Sequence, residues 1–159
     1  MWHTAFIVAH AATATVAVLV GMVAMPAGRY FEVYRATLVG TVAFLMPAIL
    51  LGWEDYGTIS RVIFPVLLLL GLFMVARAVL AGRMLPATTG GPTAAYLDHI
   101  GFTLISLADG FVIVALLRAG VPGWLVAVSG VAVVVIGHFL LRATRHRLVR
   151  PVGSEQLAS

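Results

Sequence analysis

Cysteine and lysine are both absent from the 159 residues of the chain. The lack of cysteine excludes disulfides, thiolate metal sites, iron–sulfur clusters and cysteine nucleophiles. The lack of lysine excludes a Schiff base to retinal or to another carbonyl compound. The chain also has no Gly-x-Ser-x-Gly elbow, His-Glu-x-x-His motif or phosphate-binding glycine loop, which argues against the common hydrolase mechanisms.

Charge is scarce as well. Only 10% of the residues are charged and 62% are hydrophobic, whereas a soluble domain averages about 25% charged and about 45–50% apolar residues. A disordered chain would be poor in apolar residues and rich in charge. The composition therefore indicates a small polytopic membrane protein.

Five segments are apolar over the length that a membrane helix needs, about 20 residues for a hydrocarbon core of about 30 Å. They are Trp2–Met25, Tyr30–Trp53, Ser60–Met84, Ala95–Ala119 and Trp124–Arg145. We predict an all-α, five-span transmembrane bundle over residues 1–145 and a basic tail over residues 146–159. Four spans are the alternative, because the second segment contains Glu32, Arg35 and Pro47.

Arginine is unevenly distributed between the two ends of such a bundle. Arg61 and Arg118 lie on one side, and all other arginines lie on the opposite side, in the first and third turns and the tail. By the positive-inside rule, the N-terminus is outside and the C-terminus inside a bacterial-type plasma (inner) membrane. The three tryptophans then share the outer side, where indole rings favour the headgroup boundary.

Small residues recur along the first and fifth spans. In the first span they are spaced every four residues, at Ala5, Ala9, Thr13, Ala17 and Gly21. In the fifth span, Gly130 and Gly137 lie seven residues apart. Such stripes let a second helix approach closely. The partner is either another span of the same chain or a second protein, so we expect a homo-oligomer or a larger membrane complex.

Ionisable residues inside the spans form two layers. The cost of such a residue at the helix centre, at least about 2.5–3.5 kcal/mol, means that it usually faces protein and marks a functional site. From the helical rise, His10 and Asp109 lie in an outer layer. An inner layer contains Arg77, Asp98, His99 and His138. On the fourth span, both aspartates share a broad polar face that we expect to turn inward.

Each layer also has a structural explanation. His10 and Asp109 can form one interhelical hydrogen bond, and the guanidinium of Arg77 can extend to the headgroups. Asp98 lies near the start of its helix, where a carboxylate complements the helix dipole.

Three functions are compatible with these residues. Histidines on different helices at one depth can ligate a b-type haem, with His99 and His138 as ligands and Arg77 near a propionate; a quinone site is a variant. Alternatively, His10, Asp109 and Asp98 belong to a proton or ion path of an oligomeric transporter. A third hypothesis is an accessory subunit of a larger complex.

The loop and the tail contain the remaining signals. Proline and glycine predict an irregular loop over residues 86–92. The segment Arg142–Arg150 contains four arginines, a composition expected to contact anionic lipid headgroups. Nucleic acid is not an expected partner, because the chain has no folded surface to read it.

The first span resembles those of small bacterial multi-helix membrane proteins with a histidine in their leading helix. The resemblance rests on His10 and the alanine, valine and glycine residues that follow it as far as Gly28. Some of those proteins are similar to b-type cytochromes, which implies a haem-binding bundle. The turn after the span, Arg29–Glu32, lacks the histidine often seen there, so no functional residue is transferred.

Overall fold

The computed structural model describes residues 2–85 and 92–149. Five helices, each long and apolar enough to cross a membrane, account for nearly all of them. They are α1 (Trp2–Ala27), α2 (Phe31–Leu51), α3 (Thr58–Gly82), α4 (Ala94–Arg118) and α5 (Gly123–Leu148), with a short 3₁₀ turn over Trp53–Asp55. The all-α architecture and the count of five helices are confirmed, and the alternative of four is wrong.

The helix ends agree closely with the predicted spans. The largest difference lies at the C-terminus, where α5 continues to Leu148, three residues past the predicted end at Arg145. The predicted tail therefore begins as helix. Residues 150–159, and residues 86–91 of the predicted loop, lie outside the described residues.

The first four helices form a ring, and α5 packs mainly on the outside of α4. Neighbours in the ring are α1 and α2, α2 and α3, α3 and α4, and α4 and α1, with the α1–α2 contact the most extensive. The buried core lies where α1, α2 and α4 meet, and α3 adds Met74, Ala78 and Ala81 to it. Its largest fully buried side chains are Tyr34, Leu38, Tyr96, Leu97, Ile100 and Thr103.

Two tyrosines bring polar groups into this core, and both are satisfied. The Tyr34 hydroxyl donates to the Thr103 hydroxyl, which in turn donates to the backbone carbonyl of Ile100. The Tyr96 hydroxyl donates to the carbonyl of Ala24 at 2.9 Å. Because buried hydroxyls need partners, these bonds tie α1, α2 and α4 together.

The small residues of α1 face other helices of the same chain. Ala17 and Gly21 are buried. A Cβ added at Gly21 would lie 2.7 Å from Leu104 on α4 and 2.9 Å from Tyr34 on α2. From Thr13 to Gly21 the stripe is therefore an internal packing surface, whereas Ala5 at its start is exposed.

The glycines of α4 and α5 let these two antiparallel helices approach closely. A Cβ at Gly137 would lie 2.6 Å from Ile105, and one at Gly101 would overlap the side chain of Leu141. The turn that joins the helices ends α4 in a Schellman motif: Val121 N–H donates to Leu116, and Gly120, at φ 72°, donates to Leu117.

The two ends of the bundle differ in composition. We call the end with Trp2, Trp53 and Trp124 the tryptophan end, and the opposite end, with Arg29, Arg83 and Arg145, the arginine end. All five helices run between these ends.

Replacing Gly137 with alanine should separate α4 from α5. The added methyl group meets the branched side chain of Ile105, so we expect the free energy of unfolding to fall by about 1–3 kcal/mol. Thermal unfolding followed by circular dichroism in detergent measures the change. Gly110→Ala is the matched control: its Cβ meets nothing within 4 Å, so the variant should be as stable as the parent or more stable by about 0.5–1 kcal/mol. Equal losses in the two variants would contradict this packing.

Candidate functional site

A groove of about 510 Å³ runs between α3 and α5, with α4 as its floor. Its walls include Val62 and Val66 of α3 and Val131 and Val134 of α5, all largely exposed in the isolated chain. Among the described residues, Asp109 is the one ionisable residue that lines it. The groove exists because α5 packs on α4 and leaves α3 uncovered along this side. We refer to it as the α3–α5 groove.

The carboxyl group of Asp109 is the polar feature of the groove. Its Oδ1 is buried and has no hydrogen-bond partner among the described residues. A Cβ at Gly130 would lie only 3.3 Å from this oxygen, so glycine at that position leaves room for the carboxyl group. An unpartnered buried oxygen is rare in folded proteins and needs an explanation.

His10, predicted to share a layer with Asp109, is engaged elsewhere. Its Nδ1 lies 2.8 Å from the backbone carbonyl of Thr41 on α2. Both residues lie about 12–14 Å from the tryptophan end by helical rise. Within residues 2–85 and 92–149, no hydrogen bond joins them. The structure therefore places His10 between α1 and α2 and Asp109 beside α5.

Three helices meet around Asp98 at the arginine end. Arg77 Nη2 on α3 donates to the Asp98 carbonyl at 3.3 Å, and the guanidinium lies 5.1 Å from the centre of the Phe102 ring. The Asp98 carboxylate forms an ion pair with Arg145 on α5 at 3.2 Å. Both side chains of this pair are nearly half exposed, so it contributes at most about 1 kcal/mol.

His99 follows Asp98 directly on α4. The guanidinium of Arg77 contacts the carbonyl of Asp98, one residue before it. The Nδ1 of His99 and the Nε of Arg77 are both buried, and neither has a hydrogen-bond partner in the described ranges. Of the predicted inner layer, the structure thus brings Arg77, Asp98 and His99 together.

His138 is more peripheral. Its side chain is exposed on α5 and has no hydrogen bond among the described residues. It follows Val131 and Val134 by seven and four residues and so shares their helix face. It therefore lies on the side of α5 that borders the α3–α5 groove, toward the arginine end.

The polar residues of α4 face two different parts of the protein, the buried core and α5. Thr103 and Ser106 are buried. Asp98 contacts Arg145 of α5, and Asp109 lies beside Gly130 of α5. The predicted inward orientation thus holds for the hydroxyl residues, whereas both carboxylates lie at the edge of the bundle.

Sequence reasoning missed two polar contacts. One is the pairing of Arg145, expected to contact lipid headgroups, with Asp98. The other is at the tryptophan end, where the Tyr56 hydroxyl donates to the Ala48 carbonyl at 3.2 Å and accepts from His3 Nε2 at 3.2 Å. A tyrosine next to the end of a span was the available signal, since its hydroxyl seeks a partner.

A metal centre built from three or more protein ligands is absent: the described residues contain no such group of histidine, aspartate or glutamate. Arg77, Asp98 and His99 can instead hold a ligand by hydrogen bonds and charge.

The stability of the tryptophan end should depend on the ionisation of Tyr56. Burial, reinforced by the charge of Asp55, raises the pKa of Tyr56 above its ordinary value of 10.0, and Arg118 opposes the shift. Because the pKa is raised in the folded state, the neutral hydroxyl of Tyr56 contributes fully to folding stability below pH 10.0. This contribution is lost as the pH rises through the folded-state pKa. Rising alkaline pH should therefore destabilise the parent protein more than the Tyr56→Phe variant, as measured by thermal unfolding. Tyr30→Phe, at an exposed position, should retain the full slope of the parent, and an identical slope in Tyr56→Phe would contradict the assignment.

No family model, curated protein or solved structure matches the chain. The site must therefore be interpreted from its own residues. They describe a five-helix chain of transmembrane character with one carboxyl group in an apolar groove and a basic cluster at the arginine end.

Proposed function

We propose that the protein binds a lipophilic small molecule in the α3–α5 groove and engages a hydrogen-bond donor of that molecule through Asp109. The observation that carries this proposal is the buried Oδ1 of Asp109, which lines the groove and has no partner among the described residues. A hydroxyl group, as in a quinol, or a protonated amine would complete the hydrogen bonding of this oxygen.

The size and lining of the groove favour a molecule with a large apolar part. Its volume of about 510 Å³ lies within the range of about 300–1,000 Å³ typical of small-molecule sites. Val62, Val66, Val131 and Val134 line it and are exposed toward the surroundings of the bundle. A ligand dissolved in the bilayer would enter laterally between α3 and α5.

The energetics explain why a donor is required. A buried acceptor without a partner costs about 1–3 kcal/mol, and more when it is charged. An apolar side chain at position 109 would avoid this cost. The carboxyl group is therefore unfavourable for stability in the isolated chain and becomes favourable once a donor occupies the groove.

A comparison of three probes tests this function: a decyl-substituted benzoquinol, the matching quinone and decylamine. Binding is followed by the fluorescence of Trp124, which is next to the lining residue Gly123, after Trp2 and Trp53 are replaced by phenylalanine. The quinol and the amine should bind about tenfold more tightly than the quinone, which offers no donor. Asp109→Asn removes the charge but keeps one acceptor oxygen, so it should weaken the amine by about tenfold or more and the quinol by a smaller factor.

Two further variants separate the site from general effects. Asp55→Asn makes the same chemical change at the tryptophan end, outside the groove, and should leave binding unchanged. Ala127→Phe should fill much of the groove and weaken or abolish binding without changing Asp109 or adding a second tryptophan. Equal affinities of the parent and Asp109→Asn for all three probes would overturn the proposal.

The cellular setting is part of the proposal. The distribution of arginine and tryptophan supports an N-terminus outside and a C-terminus inside a plasma (inner) membrane. The segment Arg142–Arg150 would then face anionic headgroups. Three further functions stay predictions: assembly as a homo-oligomer, an accessory role in a larger complex, and transport of protons or ions along His10, Asp109 and Asp98.

Haem-linked electron transfer is a second candidate, supported by the free ring nitrogen of His99. Its buried Nδ1 has no partner in the part of the chain that the structure describes. His138, the other predicted ligand, is exposed at the border of the groove. A haem held by both would lie at the surface of the bundle, with Arg77 available to a propionate, and would supply one-electron chemistry there.

The absorption spectrum of the purified protein tests this second candidate. Bis-histidine ligation predicts a Soret band that is shifted or lost in both His99→Ala and His138→Ala. His146→Ala, in the last turn of α5, is the control and should leave the band in place. A colourless preparation from cells supplied with haem would contradict haem binding.

A further inference from the structure

The interface of α3 and α4 at the arginine end contains two unused polar atoms. Arg77 Nε and His99 Nδ1 are both buried without a hydrogen-bond partner in residues 2–85 and 92–149. They lie at one contact between the helices, since Arg77 Nη2 donates to the carbonyl of Asp98, the residue before His99. A single unpartnered buried atom is uncommon, so two at this one contact indicate an incomplete site.

The rest of the Arg77 guanidinium is already held in place. Its Nη2 donates to the Asp98 carbonyl, and its face lies over the Phe102 ring, which is itself packed edge-on against Phe73. The guanidinium is therefore oriented before any ligand binds. What its Nε–H lacks is an acceptor, and an oxygen atom is the usual one.

The charges around the site favour an anion. The nearest carboxylate, that of Asp98, is already paired with Arg145. The positive charge of Arg77 therefore has no carboxylate of its own among the described residues. A water molecule would satisfy a hydrogen bond but would leave this charge uncompensated, whereas an oxyanion does both.

The depth of the site limits where such an anion comes from. Arg77 lies five residues before the end of α3, and His99 lies five residues after the start of α4. Both are therefore about 7–8 Å inside the helix ends. At this depth a phospholipid phosphate at the membrane surface and a soluble anion from the adjoining solution are the two sources.

We propose that Arg77 and His99 form a binding site for an oxyanion of the phosphate type, in which Arg77 Nε–H and the Nδ1–H of His99 donate to its oxygens. The Asp98 carbonyl and Phe102 position the guanidinium. This site is separate from the proposed ligand site at Asp109, which lies ten residues or about 15 Å further along α4. Either proposal can fail without the other.

Native mass spectrometry of the haem-free protein in a neutral detergent tests the site. The probes are dioctanoyl phosphatidylglycerol, dioctanoyl phosphatidylcholine and inorganic phosphate. The anionic lipid should bind more tightly than the zwitterionic one. Arg77→Gln and His99→Gln should each weaken its binding by about tenfold or more, because each removes a donor to a charged acceptor.

The matched control is Arg83→Gln, at an exposed position just after the same end of α3, which should change the affinity less than twofold by general electrostatics alone. Arg77→Lys keeps the charge but lacks the planar fork. It should bind the anionic lipid less tightly than the parent, and it carries the test if Arg77→Gln does not fold.

The phosphate arm identifies the source of the anion. Competition by millimolar phosphate, lost in Arg77→Gln, supports a soluble anion; lipid binding that phosphate does not displace supports a headgroup. The proposal would be overturned if neither the anionic lipid nor phosphate bound, or if Arg77→Gln and Arg83→Gln weakened binding equally. A Soret band that depends on His99 would also overturn it.

Discussion

The close approach of α5 to α4 is the constraint on which both candidate sites depend. It is set by glycine at positions 101 and 137, where a side chain would overlap Leu141 or Ile105. In this register Asp98 lies opposite Arg145 and Asp109 lies opposite Gly130. Because α5 packs mainly on α4 and only little on α3, the same approach leaves the α3–α5 groove open. A larger side chain on α5 would change the shape of the groove and the environment of Asp109 together.

Composition and helix geometry predict the fold well, because a bilayer allows few solutions. Runs of about 20 apolar residues must be helices that satisfy their own backbone groups, so the five helices and their approximate ends follow from the sequence. The stripe that includes Ala17 and Gly21 likewise predicts close packing. What periodicity leaves open is the identity of the neighbour. In the structure, α1 faces α2 and α4, and Gly130 and Gly137 of α5 face α4.

The candidate site is less predictable for a related reason. A helical wheel places Asp98, Thr103, Ser106 and Asp109 on one broad face of α4, but this face is wide enough to meet two neighbours. The hydroxyl residues turn to the core, and the carboxylates turn to α5. His10 shows a second limit: depth alone matched it to Asp109, whereas its partner is the backbone carbonyl of Thr41. The sequence pattern does not show which backbone carbonyl a buried side chain will meet.

The polar groups of the bundle fall into two kinds once their partners are known. His10, Tyr34 and Tyr96 have partners on other helices, and their role is to hold α1, α2 and α4 together. Asp109, Arg77 and His99 each retain a buried atom without a partner among the described residues. Packing alone does not account for such atoms, because apolar side chains would fill the same space at lower cost.

The separation of these two kinds assigns different roles to the two sides of the bundle. On one side, satisfied polar groups join α1 and α2 to the core residues of α4, so this side serves as the scaffold. Among the described residues, the side formed by α3, α4 and α5 contains every buried side-chain polar atom without a partner, the groove and the exposed His138. On this side an acceptor lies toward the middle of the bundle and donors lie near the arginine end. Ligands of opposite polarity therefore suit the two positions, and α4 is the helix that orients both.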